Sequence, residues 1–161
     1  DRPRGALKLA PRLVRRYNLS TRIDFTGRVP NQELARLYCR SQVAVCPSLY
    51  EGFGLPAAEA MACGVPVVAT TGGALPEVVE DGATGILVPP ADAEALAGAI
   101  RRLLADEPLR RRLGEGARQR AVERFNWYRA ALETLAIYEE VLSRQPSTAG
   151  LTQGLPQLER A

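Results

Sequence analysis

The sequence predicts an α/β fold in which a parallel sheet carries helices on both faces. Two observations predict it. Short apolar runs alternate along the chain with segments of helical period, and the connections between them are short. The run from Val65 to Ala69 is apolar throughout, as in strands that a parallel sheet buries on both sides. The crossovers of such an alternation wind right-handedly.

Taken in order, Ala6 to Tyr17 places Leu9, Leu13 and Val14 at helical spacing and gives way to Asn18, a helix stop. Arg22 to Thr26, with Ile23 and Phe25 alternating, reads as a strand ending at Gly27. A helix capped by Asn31 follows, with Glu33 in its first turn and Leu34, Leu37 and Tyr38 on one face. Gln42 to Cys46 is a short buried strand. Pro56 to Cys63, rich in alanine, suits a short helix that Gly64 terminates, and Val65 to Ala69 is the next strand. Leu75 to Glu80 is a brief helix, and Gly85 to Val88 a strand closed by Pro89 and Pro90. Asp92 caps a helix carrying Leu96, Ile100, Leu103 and Leu104, and Pro108 starts another that runs to Phe125. Trp127 to Ser143 is the last helix, with Leu132, Leu135, Tyr138 and Leu142 as its apolar stripe. Residues 145–161 have no period and are expected to form a flexible tail, which leaves 1–144 as one domain. Four strands are thus expected. Because the chain opens on a helix, the N-terminal edge of the sheet is expected to lack strands.

Composition bounds the function. With 161 residues, 46% hydrophobic and 24% charged, the chain is sized for one ordinary globular domain, which excludes a disordered, collagenous or coiled-coil protein. No apolar run approaches the roughly 20 residues that span a bilayer, and no basic segment followed by an apolar one opens the chain, so a cytoplasmic protein is expected. The net charge is only +3. The clusters Arg101–Arg102 and Arg110–Arg112 sit beside Asp106, Glu107 and Glu115 without interleaved aromatics, so they read as solvated helix faces, and no nucleic-acid partner is expected. Cys39, Cys46 and Cys63 are odd in number, show no CxxC and stand among apolar neighbours, which reads as reduced, half-buried core thiols. The chain has no histidine, so a zinc site or a Ser-His-Asp engine cannot be built from it. An enzyme made from it must use carboxylates, dipoles or a partner domain.

Ligands of open α/β sheets bind beyond the carboxyl ends of the strands. The densest such loop follows Cys46 and runs through Pro47, Ser48, Leu49, Tyr50, Glu51, Gly52, Phe53, Gly54 and Leu55 into the helix that holds Glu59. Glycines on either side of one aromatic allow close backbone approach, and the amides at the helix start carry its positive dipole end, which suits a phosphate. Glu51 and Glu59 would flank that anion. Carboxylates repel phosphate but accept hydrogen bonds from hydroxyls, so a ligand with a central diphosphate and a sugar at each end satisfies both features. The competing reading makes Glu51 a surface loop carboxylate and Glu59 a helix-face residue in a salt bridge. Gly52 to Ala57 also fits the dinucleotide fingerprint G-x-G-x-x-A, but the next strand ends at Thr70-Thr71-Gly72-Gly73 with no acid to hold a ribose before Glu77, which counts against a dehydrogenase. Thr71-Gly72-Gly73 reads as a tight turn or a second amide cradle, and Gly27-Arg28-Val29-Pro30 could line a flat ring with backbone groups.

These residues strongly resemble the family-4 glycosyltransferases of the GT-B fold, in their retaining class. The resemblance is carried by Phe25-Thr26-Gly27-Arg28-Val29-Pro30, by Pro47-Ser48-Leu49-Tyr50-Glu51-Gly52-Phe53-Gly54-Leu55-Pro56, by Glu59 to Ala69, by Pro76 to Gly82 and by Gly85 to Pro90. It implies the Rossmann-like C-terminal domain of such an enzyme, with a nucleotide diphosphate sugar as donor, an unspecified acceptor and no metal. Glu51, the first glutamate of the E-x7-E pair, would hold the donor sugar as the catalytic contact, and Glu59 the ribose. The backbone of Gly52, Phe53, Gly54 and Leu55 would meet the sugar and diphosphate, and Arg28 and Val29 would pack the base. The family's diphosphate-clamping Arg and Lys fall upstream of Asp1, and acceptor binding belongs to an N-terminal GT-B domain, so a missing N-terminal domain is an expected partner. Membrane-peripheral attachment, frequent in the family through that other domain, stays open beside the cytoplasmic expectation. A non-catalytic fragment or protein-interaction module, inactive alone, is the alternative.

Overall fold

The computed structural model describes residues 6–144, which divide into two compact units between Arg36 and Leu37. The expected tail lies outside the described residues.

In the first unit, α1 (Ala6–Arg16) ends where expected. Asn18 takes the left-handed conformation with φ 54°, and the amides of Asn18 and Leu19 donate to the carbonyls of Arg15 and Val14 at 3.2 and 2.9 Å, which satisfies carbonyls that the helix end leaves open. Arg22 to Thr26 is not a strand. Alternation of Ile23 and Phe25 assigns side chains to two faces, but a strand exists only as part of a ladder, and no described segment pairs with this one. Phe25 is 60% exposed as a result. The helix α2 (Asn31–Arg40) begins in this unit. Its first intrahelical acceptor is the carbonyl of Pro30, 2.9 Å from the Leu34 amide, and Asn31 is its first residue where a cap was expected.

The second unit holds β1 (Ala44–Cys46), α3 (Leu55–Ala62), β2 (Val67–Thr70), α4 (Leu75–Val78), β3 (Gly85–Val88), α5 (Ala93–Ala105), α6 (Glu107–Arg124) and α7 (Trp127–Arg144). Among the described residues three strands pair in parallel in the order β1-β2-β3, one fewer than expected. Ala44 faces Val67, and Val67 faces Gly85. The strand expected at Val65 begins two residues later, after Pro66, which has no amide to give a ladder. Thr70 joins it through its pairing with Val88.

All of β2 is buried. Val67 and Ala69 turn to one face, where Ala57, Met61, Leu75, Ala117 and Ala121 cover them from α3, α4 and α6. Val68 turns to the other, against Val88, Leu103 and Leu113 of β3, α5 and α6. Helices therefore cover both faces, as expected. Met61, Leu103 and Leu113 are fully buried; truncating any one to alanine would cost about 2–5 kcal/mol. Carboxylates start α5 and α6, with Asp92 accepting from the Ala95 amide and Asp106 from the Leu109 amide, each at 2.9 Å. The last helix differs. No residue of α7 is buried, and its expected stripe of Leu132, Leu135, Tyr138 and Leu142 is exposed.

Candidate functional site

The Glu51 loop leaves the carboxyl end of β1 and is tied down from the neighbouring strand. Ser48 donates its hydroxyl to the Glu51 carboxylate at 3.0 Å. The Ser48 carbonyl in turn accepts from the hydroxyl of Thr70 at the end of β2, and the Glu51 carbonyl accepts from the Ala74 amide at 2.9 Å. The loop after β2 is thereby laid directly on the Glu51 loop. A Cβ on Gly72 would stand 2.5 Å from the Leu49 carbonyl oxygen, and one on Gly73 would stand 2.2 Å from that of Glu51. Gly73 also has φ 65°. Thr71-Gly72-Gly73 is thus a turn that permits backbone contact between two loops. Glu51 itself is half-buried.

At the start of α3, Gly54 is left-handed with φ 94° and buried. Its carbonyl accepts from the amides of Ala57 and Ala58 at 2.9 and 3.1 Å. Among the described residues, the amides of Gly52, Phe53 and Gly54 donate to no other group of the chain. A Cβ on Gly54 would lie 3.8 Å from Glu51 Cγ, which puts the Glu51 side chain beside those donors. Phe53 packs edge-to-face on Phe125, with ring centroids 5.9 Å apart. Leu55 is exposed at the first position of the helix.

Glu59 is exposed and lies about 6 Å further along the α3 axis than Leu55. Burial, and then the charge of Glu59, push the Tyr38 hydroxyl of α2 above its usual range. The ion pairs among the described residues include neither Glu51 nor Glu59, so the salt-bridge reading of Glu59 is not what the structure has. A cavity of about 500 Å³ opens beside this face, with Phe53, Glu59, Arg124, Phe125 and Trp127 in its lining. Arg28 and Val29 belong to the first unit, where Arg28 is exposed and Val29 half-buried.

The structure therefore brings Glu51 together with the open amides of Gly52, Phe53 and Gly54 at one helix start, and sets Glu59 on the same helix. The sequence reading gave no role in the site to Ser48, Thr70, Ala74 or Tyr38. Ser48 stood in plain view three residues before Glu51; the role of Thr70 depends on the strand crossover and has no local signal. None of the three cysteines forms a disulfide, and Cys63 is half-buried as expected, but the other two differ from it in burial. Cys46 is buried, its thiol pushed up by burial and then by the Glu51 charge, whereas Cys39 is exposed and Cys63 half-buried. Open amides at a helix start suit an anion, and oriented carboxylates suit hydroxyl groups.

Residues 7–120 match the sequence model of a family described as glycosyl transferases group 1. An MMP alpha-(1->4)-mannosyltransferase of Mycolicibacterium hassiacum is 46% identical over 83% of the chain, which covers 33% of that protein. A sucrose-phosphate synthase structure from Thermosynechococcus elongatus superposes with a TM-score of 0.77 and 45% identity, over 84% of this chain and 34% of that one. Anabaena HepE, solved in complex with UDP-glucose, superposes with a TM-score of 0.74 and 29% identity, over 81% of this chain and 36% of that one. The chain spans about a third of the length of these relatives.

Proposed function

The chain belongs to the group 1 glycosyl transferases, and we propose that it is the donor-binding, C-terminal part of a retaining, hexosyltransferase-type enzyme of the GT-B fold. The donor is a nucleotide diphosphate sugar. The open amides of Gly52, Phe53 and Gly54, with Leu55 at the helix start, receive the diphosphate. Glu51 accepts hydrogen bonds from the donor sugar, Glu59 from the ribose, and Arg28 and Val29 pack the base. The acceptor and a partner domain complete the reaction from the rest of the protein, with no metal required.

One observation carries this reading: the Glu51 carboxylate is oriented by Ser48 beside amide donors that nothing in the described chain uses. Departure of the nucleoside diphosphate places growing negative charge at those amides, which is where fixed donors stabilise a transition state. Glu51 holds the sugar so that the acceptor attacks the face the leaving group vacates. Calorimetric titration of the chain with UDP, GDP and ADP tests it. One of them is expected to bind, and Glu59→Ala to weaken that binding about tenfold, the loss of hydrogen bonds to a charged group. Unchanged affinity in that variant would remove Glu59 from the ribose site. Failure of all three nucleotides to bind would favour the interaction-module reading, for which the exposed face of α7 would be the contact surface.

A further inference from the structure

The four-residue helix α4 is tied at both ends. Its entry rests on the Glu51 loop, where the Ala74 amide donates to the Glu51 carbonyl at 2.9 Å. Its exit is held from α6. The Arg120 guanidinium donates from Nη2 to the Glu77 carbonyl at 2.8 Å, from Nε to the Val78 carbonyl at 2.9 Å and from Nη1 to the Glu80 carboxylate at 3.2 Å. Among the described residues no backbone amide donates to either carbonyl, so one side chain satisfies acceptors that the helix end leaves open. We propose that Arg120 is a positioning residue for the donor sugar, acting through α4 on Glu51; this rests on the donor-binding reading above.

A helix of one turn does not support itself, so its place is set by its surroundings. Leu75 and Val78 are buried and keep α4 in the core, but apolar burial has no direction. The hydrogen bonds at the two ends supply it. The Arg120 side chain is only 19% exposed, and its planar fork spans two successive carbonyls at once, which the single ammonium of a lysine cannot reproduce. Glu80 is exposed, so its ion pair with Arg120 contributes little. Loss of the carbonyl ties frees the end of α4, and with it the Ala74 amide that fixes the backbone of Glu51. Glu59 lies outside this series of contacts, because the register of the longer helix α3 sets it. Arg120 thus bears on the sugar end of the donor and not on its nucleotide.

The test compares the wild-type chain with Arg120→Lys and Glu80→Gln in two ways. Amide hydrogen exchange is followed without ligand, and calorimetry measures binding of UDP and UDP-glucose, GDP and GDP-mannose, and ADP and ADP-glucose. In Arg120→Lys the Ala74 amide should exchange about tenfold faster, while the buried Leu103 of α5, on the other face of the sheet, keeps its rate. The dissociation constant of the nucleotide sugar that the wild type binds should rise about tenfold, and that of the matching nucleoside diphosphate by no more than about twofold. Glu80→Gln should change neither. An unchanged Ala74 rate in Arg120→Lys, faster exchange at Ala74 and Leu103 alike, equal losses for the two ligands of a pair, or the same losses in Glu80→Gln would each overturn the proposal. A wild-type chain that binds none of these ligands refutes the donor-binding reading itself, and the Ala74 rate still decides whether Arg120 holds the loop.

Discussion

The carboxylates Glu51 and Glu59 are eight positions apart in sequence and are held in different ways. Glu51 sits on a loop whose shape is imposed from outside, by Thr70, Ala74 and the two glycines that let one backbone rest on another. Glu59 sits on a regular helix that sets its direction, with the Tyr38 phenol of α2 near enough to feel its charge. Orientation by tertiary contact is exacting and easily lost at a distance, whereas orientation by helix register survives most changes elsewhere. In the proposed function, the carboxylate that meets the reacting sugar gains from the first arrangement, and the one that grips a remote hydroxyl pair is served by the second.

This contrast can be broken most severely at Gly73. A valine there adds a Cβ on top of the Glu51 carbonyl in a backbone conformation that β-branched residues avoid. Gly73→Val should lower unfolding stability by about 3 kcal/mol in urea melts and abolish turnover in the intact enzyme. Next in size, Glu51→Gln should reduce turnover by about 100-fold while leaving the affinity of the chain for nucleotide within about twofold, since it removes a contact made to the reacting sugar. Equal losses in both would put Glu51 on the nucleotide. Ser48→Ala removes the hydrogen bond that aims Glu51 and should cost turnover about tenfold, the equivalent of about 1.4 kcal/mol, with urea stability nearly intact.

The smallest effect is expected at the other carboxylate. Tyr38→Phe leaves the helix register of Glu59 unchanged and should weaken nucleotide binding by no more than about threefold. The same variant has a readable titration. The folded chain holds the Tyr38 proton more tightly than the unfolded chain does, because its pKa lies above the ordinary 10.0. The contribution to stability is therefore complete below pH 10.0 and fades as the pH rises through the higher folded value. Spectrophotometric titration of the wild type should show one late phenolate that is missing from Tyr38→Phe, and the alkaline loss of stability should be shallower in the variant.

Legibility in the sequence followed locality. Asp92 announces its helix by a side chain three residues from the amide it caps, and Asn18 ends another by its tolerance of positive φ. Both were readable because donor and acceptor lie within one turn. Arg22 to Thr26 was misread for the opposite reason: its apolar alternation is local, but the ladder that would make it a strand is not. The stripe on α7 shows the same limit, since a helix-period pattern specifies an apolar face and leaves open what covers it.

By itself the amino-acid sequence determined the parallel α/β class, the positions of most helices and the family, because periodicity, caps and a dense motif all act over a few residues. Only the tertiary structure decided how Glu51 is aimed and which apolar segments of the described chain find no cover. Each of these depends on parts of the chain that lie far apart in sequence, such as Thr70 on Ser48 or Ala74 on Glu51, and no short-range pattern records a contact that the fold has yet to make.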